Sequence, residues 1–145
     1  MEVRQITIDT KISLKDFGDQ LQFKLALNQE ISIAICLEFL LLKENLINSV
    51  GLNFKNSFII LKLSKDQYSY CDKTDFGRGL LKGQISINNL DYILHYILKY
   101  YRDGIAETEH IDIDFLNDNG KELTLTISFE RYHEYSAEEI RKILK

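Results

Sequence analysis

Residues 109–130 have the sequence EHIDIDFLNDNGKELTLTISFE, in which apolar and polar residues alternate on both sides of a polar turn. Successive side chains of a β-strand point to opposite faces, so this period of two predicts two half-buried strands. The apolar positions within 111–115 and 123–129 would face the core. Asn119-Gly120 tolerates the positive φ angles of a tight turn. The segment therefore predicts an antiparallel hairpin whose first strand has an acidic outer face.

The segment before this hairpin predicts an amphipathic helix. Its apolar residues recur at spacings of three and four and would cover one face: Leu90, Ile93, Leu94, Ile97, Leu98 and Tyr101. Asn88 or Asn89 could accept a hydrogen bond from a free N–H of the first turn, and Gly104 is a natural C-terminal stop.

Residues 31–47 are compatible with two structures. Alternation at Ile31, Ile33, Ile35, Leu37 and Phe39, three of them β-branched, favours a strand that forms a hairpin with the preceding one. The set Ile31, Ile35, Phe39, Leu42 and Leu46 instead forms a helical stripe. We predict a strand over 31–39, followed by a helical tail that ends before Gly51.

Further strands are predicted over residues 3–12, 20–28, 58–63, 67–71 and 80–87, with a loop over 72–78. Ser136 and Glu139 form a capping box for a short terminal helix. Short connections favour antiparallel pairing. The predicted fold class is α+β, with one antiparallel sheet of about six to seven strands and two or three helices packed on it. Residues 1–145 are predicted to form a single globular domain.

Composition excludes several classes of protein. The 145 residues are 45% hydrophobic and 28% charged, as in ordinary globular proteins, and the formal charge of −4 argues against nucleic acid as a partner. The apolar run 31–42 contains Glu38 and is too short to span a membrane. Without a secretory signal, we predict a cytoplasmic protein in which Cys36 and Cys71 are reduced structural thiols.

Candidate catalytic motifs are weak. Asp75-Phe76-Gly77 matches the kinase metal-binding triplet, but the chain has no glycine-rich phosphate loop. His110, Asp112 and Asp114 would project from one face of a strand at intervals of about 7 Å, and ligands along a straight strand diverge. We therefore predict no catalytic residue, no metal site and no cofactor. A small metal-dependent or acid/base enzyme using these three residues stays open as an alternative, as does a small-ligand or self-association domain.

The charge distribution is the most informative feature of the sequence. Residues 107–118 contain five acidic residues and no lysine or arginine, a charge of −5: Glu107, Glu109, Asp112, Asp114 and Asp118. Uncompensated carboxylates repel one another, but they accelerate encounter with a basic partner. An acidic edge that discourages aggregation is the simpler explanation. We predict that these five residues, with Tyr92 and Tyr96 of the adjacent helix, bind a partner protein.

This small, acidic α+β chain combines three predicted features: a helix over 89–102, an acidic strand over 109–115 and a hairpin that closes at Gly120. In these respects the chain resembles the immunity proteins of bacterial toxin–immunity systems, including contact-dependent inhibition. The resemblance implies a non-enzymatic inhibitor that binds and neutralises a cognate toxin, typically a basic nuclease domain. It leaves open whether the protein is a monomer or a homodimer.

Overall fold

A computed structural model describes residues 2–117, 121–132 and 136–144 of the chain. In chain order, the elements are β1 Glu2–Thr7, β2 Ser13–Asp16, β3 Gln20–Leu27, α1 Gln29–Lys43, β4 Ile47–Asn53, β5 Phe58–Leu63, β6 Tyr70–Asp75, a 3-10 turn Phe76–Arg78, β7 Leu80–Ile85, α2 Ile87–Asp103, β8 His110–Phe115, β9 Glu122–Phe129 and α3 Ala137–Leu144. The fold is α+β, as predicted.

The strands form two mixed sheets, so the prediction of one antiparallel sheet is wrong. The five-stranded sheet has the order β1-β4-β5-β7-β6, and the four-stranded sheet has the order β2-β3-β9-β8. Three pairs are parallel: β1 with β4, β3 with β9, and β5 with β7. Short loops do join four antiparallel pairs, namely β2 with β3, β4 with β5, β6 with β7, and β8 with β9. The expectation fails for β5 and β6, because β7 lies between them although they follow each other in the chain.

One buried apolar cluster includes residues of both sheets, α1 and α2. In the four-stranded sheet, the buried apolar residues lie at alternate positions of β3, β9 and β8: Leu21, Phe23, Leu25, Leu27, Leu123, Leu125, Ile127, Phe129, Ile111, Ile113 and Phe115. The opposite face of these strands carries the polar residues. This arrangement confirms the predicted hairpin of β8 and β9, while its turn at Asn119-Gly120 lies outside the described residues.

Residues 31–39 belong to helix α1, so the strand predicted there is wrong. The Asn28 side chain caps the helix by accepting a hydrogen bond from the N–H of Ile31 at 2.8 Å. Ile35, Phe39 and Leu42 are buried, whereas Leu37, which alternation assigned to the core, is 54% exposed. The helical stripe prevails because tertiary packing outweighs the weak preference of β-branched residues for strands.

Helix α1 is held by polar contacts at several points. Arg4 of β1 donates two hydrogen bonds to the buried carboxylate of Glu38, at 3.1 and 2.9 Å. At the two ends, Lys43 pairs with Asp91 at 2.7 Å and Gln29 donates to the Tyr101 carbonyl. These contacts make α1 and α2 antiparallel neighbours and explain a glutamate within an apolar run.

The helical tail predicted after residue 39 is confirmed as far as Lys43, where α1 ends, but strand β4 begins at Ile47. Gly51 lies within this strand and does not end a helix. A Cβ atom at this position would lie 3.1 Å from the Phe58 ring on β5. The glycine therefore lets an aromatic ring lie over the sheet.

Other boundaries differ from those predicted. The segment 3–12 contains only β1, and β2 follows as a separate short strand. Strand β6 covers residues 70–75, where a loop was predicted from residue 72 onward, and the 3-10 turn follows it. The strands predicted near β3, β5 and β7 are confirmed.

The two later helices have clear end signals. The side chain of Ser86, not of Asn88 or Asn89, caps α2 by accepting from the Asn89 N–H at 3.1 Å, and Gly104 ends the helix with a φ of 73°. The predicted capping box at Ser136 and Glu139 is confirmed at the start of α3. Within the described ranges, none of the helices combines the length and the apolar character that crossing a membrane requires.

A stability measurement can distinguish Ser86 from Asn88 as the residue that caps α2. Ser86→Ala removes the acceptor for the Asn89 N–H, so we expect the free energy of unfolding to fall by about 1 kcal/mol in chemical denaturation. Asn88→Ala is the matched control, since Asn88 is exposed and caps nothing; its effect should stay within roughly 0.5 kcal/mol. An equal loss in both variants would contradict the assignment of Ser86.

Candidate functional site

The outer face of the four-stranded sheet carries two rows of hydrogen-bonded side chains, which we call the polar rows. Each row crosses three strands, from a glutamine of β3 through a threonine of β9 to an aspartate of β8. The rows are Gln20–Thr124–Asp114 and Gln22–Thr126–Asp112. Since β3 and β9 are parallel neighbours, these residues meet only in the folded sheet.

Strand register explains the short contacts between β9 and β8. Asp112 lies opposite Thr126, and Asp114 lies opposite Thr124. Opposed pairs in an antiparallel ladder alternate between pairs that exchange backbone hydrogen bonds and pairs that do not. Because Glu109 and Phe129 are hydrogen-bonded to each other, the register makes Asp112–Thr126 and Asp114–Thr124 pairs of the second kind. Such pairs bring their side chains closest together in an antiparallel ladder.

The threonines orient the carboxylates. Thr126 donates its hydroxyl hydrogen to Asp112 Oδ1 at 2.6 Å and accepts from the Gln22 amide at 3.1 Å. In the other row, Thr124 donates to Asp114 at 2.8 Å and accepts from Gln20 at 2.9 Å. A hydroxyl has one hydrogen to donate, so the glutamine amides on one side direct it to the carboxylate on the other.

The two aspartates keep their charge exposed. In the part of the chain that the structure describes, neither carboxylate has an ion pair with a lysine or arginine. Lys24 of β3 points to the same face of the sheet as Gln22. Because β9 lies between β3 and β8, the backbones of Lys24 and Asp112 are roughly 10 Å apart. The pair therefore presents two oriented and uncompensated negative charges to solvent.

His110 lies beside Asp112 on the same strand. Its Nε2 lies 3.6 Å from Asp112 Oδ2, and both side chains are about half exposed. A direct hydrogen bond is shorter than this, so the contact is an ion pair only when the imidazole is protonated. Throughout the described residues, no three His, Cys, Asp or Glu side chains converge as metal ligands would.

The remaining predicted acidic residues do not form one bare patch. Glu107 pairs with Lys99 of α2, so its charge is compensated. Glu109 is exposed just before β8, and its backbone carbonyl accepts from Phe129. Asp118 lies outside the described residues. The expectation of five unneutralised carboxylates is therefore wrong at Glu107, and Asp112 and Asp114 are the pair that the sheet orients.

The two predicted tyrosines lie side by side on α2. The rings of Tyr92 and Tyr96 contact edge to face, with centroids 5.1 Å apart. Tyr92 is exposed, whereas Tyr96 packs against the core. Burial, the neighbouring Tyr96 and then the negative charge of Asp112 raise the pKa of Tyr92. Tyr92 is therefore within electrostatic reach of the polar rows.

Cys36 and Cys71 form no disulfide, and burial raises the pKa of the Cys36 thiol. This shift disfavours the nucleophilic thiolate form.

Sequence reasoning missed the part played by the glutamines. Gln20 and Gln22 alternate with the apolar residues of β3, and this period placed them on its polar face. Nothing in the sequence showed that β3 would lie parallel to β9, which is about a hundred residues away. A pattern of alternating Gln on one strand and Thr on another is the only sequence signal for the polar rows.

Comparison of the chain with protein-family models, with curated proteins and with solved structures gives no match in any of the three.

The polar rows should contribute to stability through their buried threonines. Thr126→Val keeps the shape but removes the hydroxyl, leaving the Gln22 amide without its acceptor. We expect a loss of about 1 kcal/mol in the free energy of unfolding. Thr126→Ser retains the hydroxyl but removes a buried methyl group, so it reports the cost of lost packing alone. A valine variant as stable as the natural protein would show that the row is energetically neutral.

Proposed function

We propose that this protein is a non-enzymatic, protein-binding inhibitor, and that it neutralises a cognate basic toxin domain as an immunity protein. The observation that carries the proposal is the pair Asp112 and Asp114, oriented by buried threonines and without a lysine or arginine partner among the described residues. The resemblance to immunity proteins of bacterial toxin–immunity systems adds the class of partner. The proposed location is the cytoplasm.

Electrostatics supports a basic partner. Two adjacent, uncompensated carboxylates raise the local concentration of cationic surfaces and increase the rate of productive encounter. The same charges repel the phosphate backbone of nucleic acid. A basic protein surface is the partner that gains most from this face.

Orientation supports specific binding beyond general attraction. Asp112 and Asp114 stand on a paired β-strand, and each carboxylate has one oxygen fixed by a threonine. Less side-chain freedom is then lost when a lysine or arginine binds the other oxygen, and preorganisation of this kind improves affinity. The exposed ring of Tyr92 adds a side chain of the type that is enriched at binding hot spots.

An acid/base or metal-dependent enzyme is the second candidate, favoured by the 3.6 Å approach of His110 to Asp112. Its discriminating measurement is a thermal shift on addition of a divalent cation, repeated with His110→Ala. A shift in the natural protein that is lost in the variant would favour this candidate over the inhibitor.

The inhibitor proposal is tested by charge reversal at the two aspartates. The proposal predicts that a gene beside this one encodes a toxin; the probe is the domain encoded there, produced with and without this protein in the same cells. We expect Asp112→Lys with Asp114→Lys to slow association with that domain by on the order of tenfold or more at low salt, and to abolish protection of the cells. Stopped-flow association and cell survival are the two measurements.

A matched control carries the same charge change on other elements. Asp9→Lys with Glu44→Lys reverses two exposed acidic residues, one after β1 and one after α1. Circular dichroism and thermal melting establish that both double variants are folded. If the two variants associate equally fast, the effect belongs to net charge and not to this face, and the proposal fails.

A further inference from the structure

Strand β8 has one open edge. Glu109 directs its carbonyl to Phe129 of β9, whereas Leu116 directs its N–H to Ser69 and its carbonyl to Cys71 on the opposite side. Successive residues of a strand direct their backbone groups to opposite edges. The N–H and C=O groups of His110, Asp112 and Asp114 therefore point away from β9.

The open edge is short and bounded at both ends. Leu116 bridges to Tyr70 at the start of β6, which closes one end. At the other end, the Thr108 hydroxyl donates to the His110 carbonyl at 3.3 Å. Between them, no described residue bonds to the backbone N–H or C=O of Asp112 or Asp114. The same two residues thus present carboxylates without a lysine or arginine partner and backbone groups that no described residue pairs.

We propose that the partner adds a short β-strand to this edge of β8, with lysine or arginine side chains on the face of Asp112 and Asp114. This inference rests on the proposed function and specifies its mode of binding. Strand addition supplies backbone hydrogen bonds, and alternate side chains of the added strand supply specificity. Opposite charges on adjacent strands stabilise such a pair.

Charge decides which strand can occupy the edge. A second copy of this chain would bring its own Asp112 and Asp114 beside those of the first, and like charges opposite one another are destabilising. Acidic edges of this kind protect proteins from self-pairing. A basic strand reverses the sign of that interaction, so it is the occupant that the edge favours.

The inner face of β8 is apolar. Ile111, Ile113 and Phe115 are buried on this face and alternate with the two aspartates. An added strand with apolar side chains on the face opposite its lysines continues this alternation. An alternation of basic and apolar residues therefore fits both faces of the edge.

The test uses the full chain and synthetic peptides. The probe is an acetylated and amidated Lys-Thr-Lys-Val-Lys peptide, and Lys-Lys-Lys-Thr-Val has the same charge without the alternation. Two further versions of the probe carry methyl groups on backbone nitrogens, one version at the three lysines and the other at the threonine and valine. Each version loses the backbone N–H donors along one edge of the peptide strand, while its charge is unchanged.

We expect the alternating probe to bind at low salt and to protect the amide hydrogens of Asp112 and Asp114 from exchange in NMR spectra. One of the two methylated peptides should bind at least about tenfold more weakly, while the other binds like the probe. Asp112→Asn with Asp114→Asn should weaken binding, and Asp9→Asn with Glu44→Asn should not.

Failure of this inference can be told apart from failure of the proposed function. If all basic peptides bind equally and the two amides gain no protection, the face attracts cations without accepting a strand, and the inference is overturned while the inhibitor proposal stands. Absence of peptide binding, with self-association of the Asp112→Asn and Asp114→Asn variant, would show that the carboxylates only guard the edge. The toxin-association experiment tests the inhibitor proposal independently.

Discussion

The in-register parallel pairing of β3 with β9 is the constraint on which the rest of the four-stranded sheet depends. On the inner side it aligns two rows of large apolar residues that are almost fully buried. On the outer side it places Gln20 and Gln22 where their amides reach Thr124 and Thr126. A slip of one residue would turn the apolar row of a strand to solvent and the polar row to the core. The hydrophobic core and the candidate binding face are therefore set by the same register.

The two faces of this sheet differ in what they contribute. Burial of the inner face removes apolar surface from water and supplies most of the driving force for folding. The outer face carries two carboxylates on its edge strand, and their mutual repulsion does not stabilise the folded state. The threonines reduce their freedom without neutralising their charge. This combination of fixed orientation and retained charge is better suited to recognition than to stability, which is why the proposals concern a partner.

Local patterns predicted the elements that depend on local physics. Helix α2 and the hairpin of β8 and β9 have clear periods, and the helix is amphipathic as expected. Prediction failed over residues 31–39, where alternation and a helical stripe coexist in the same residues. Packing against α2 and both sheets decided in favour of the helix, together with the Asn28 cap. It failed again at Glu107, because the pairing lysine lies on another element.

The amino-acid sequence by itself determined which residues of each strand are apolar and which are polar, and so placed Asp112 and Asp114 on an outward face. It also determined the ends of several helices, since caps and glycines act within a few residues. Only the tertiary structure decided the order of the strands, the parallel pairs and the open edge of β8. These depend on contacts between residues far apart in the chain, whose free energy comes from the assembled core and not from any local pattern.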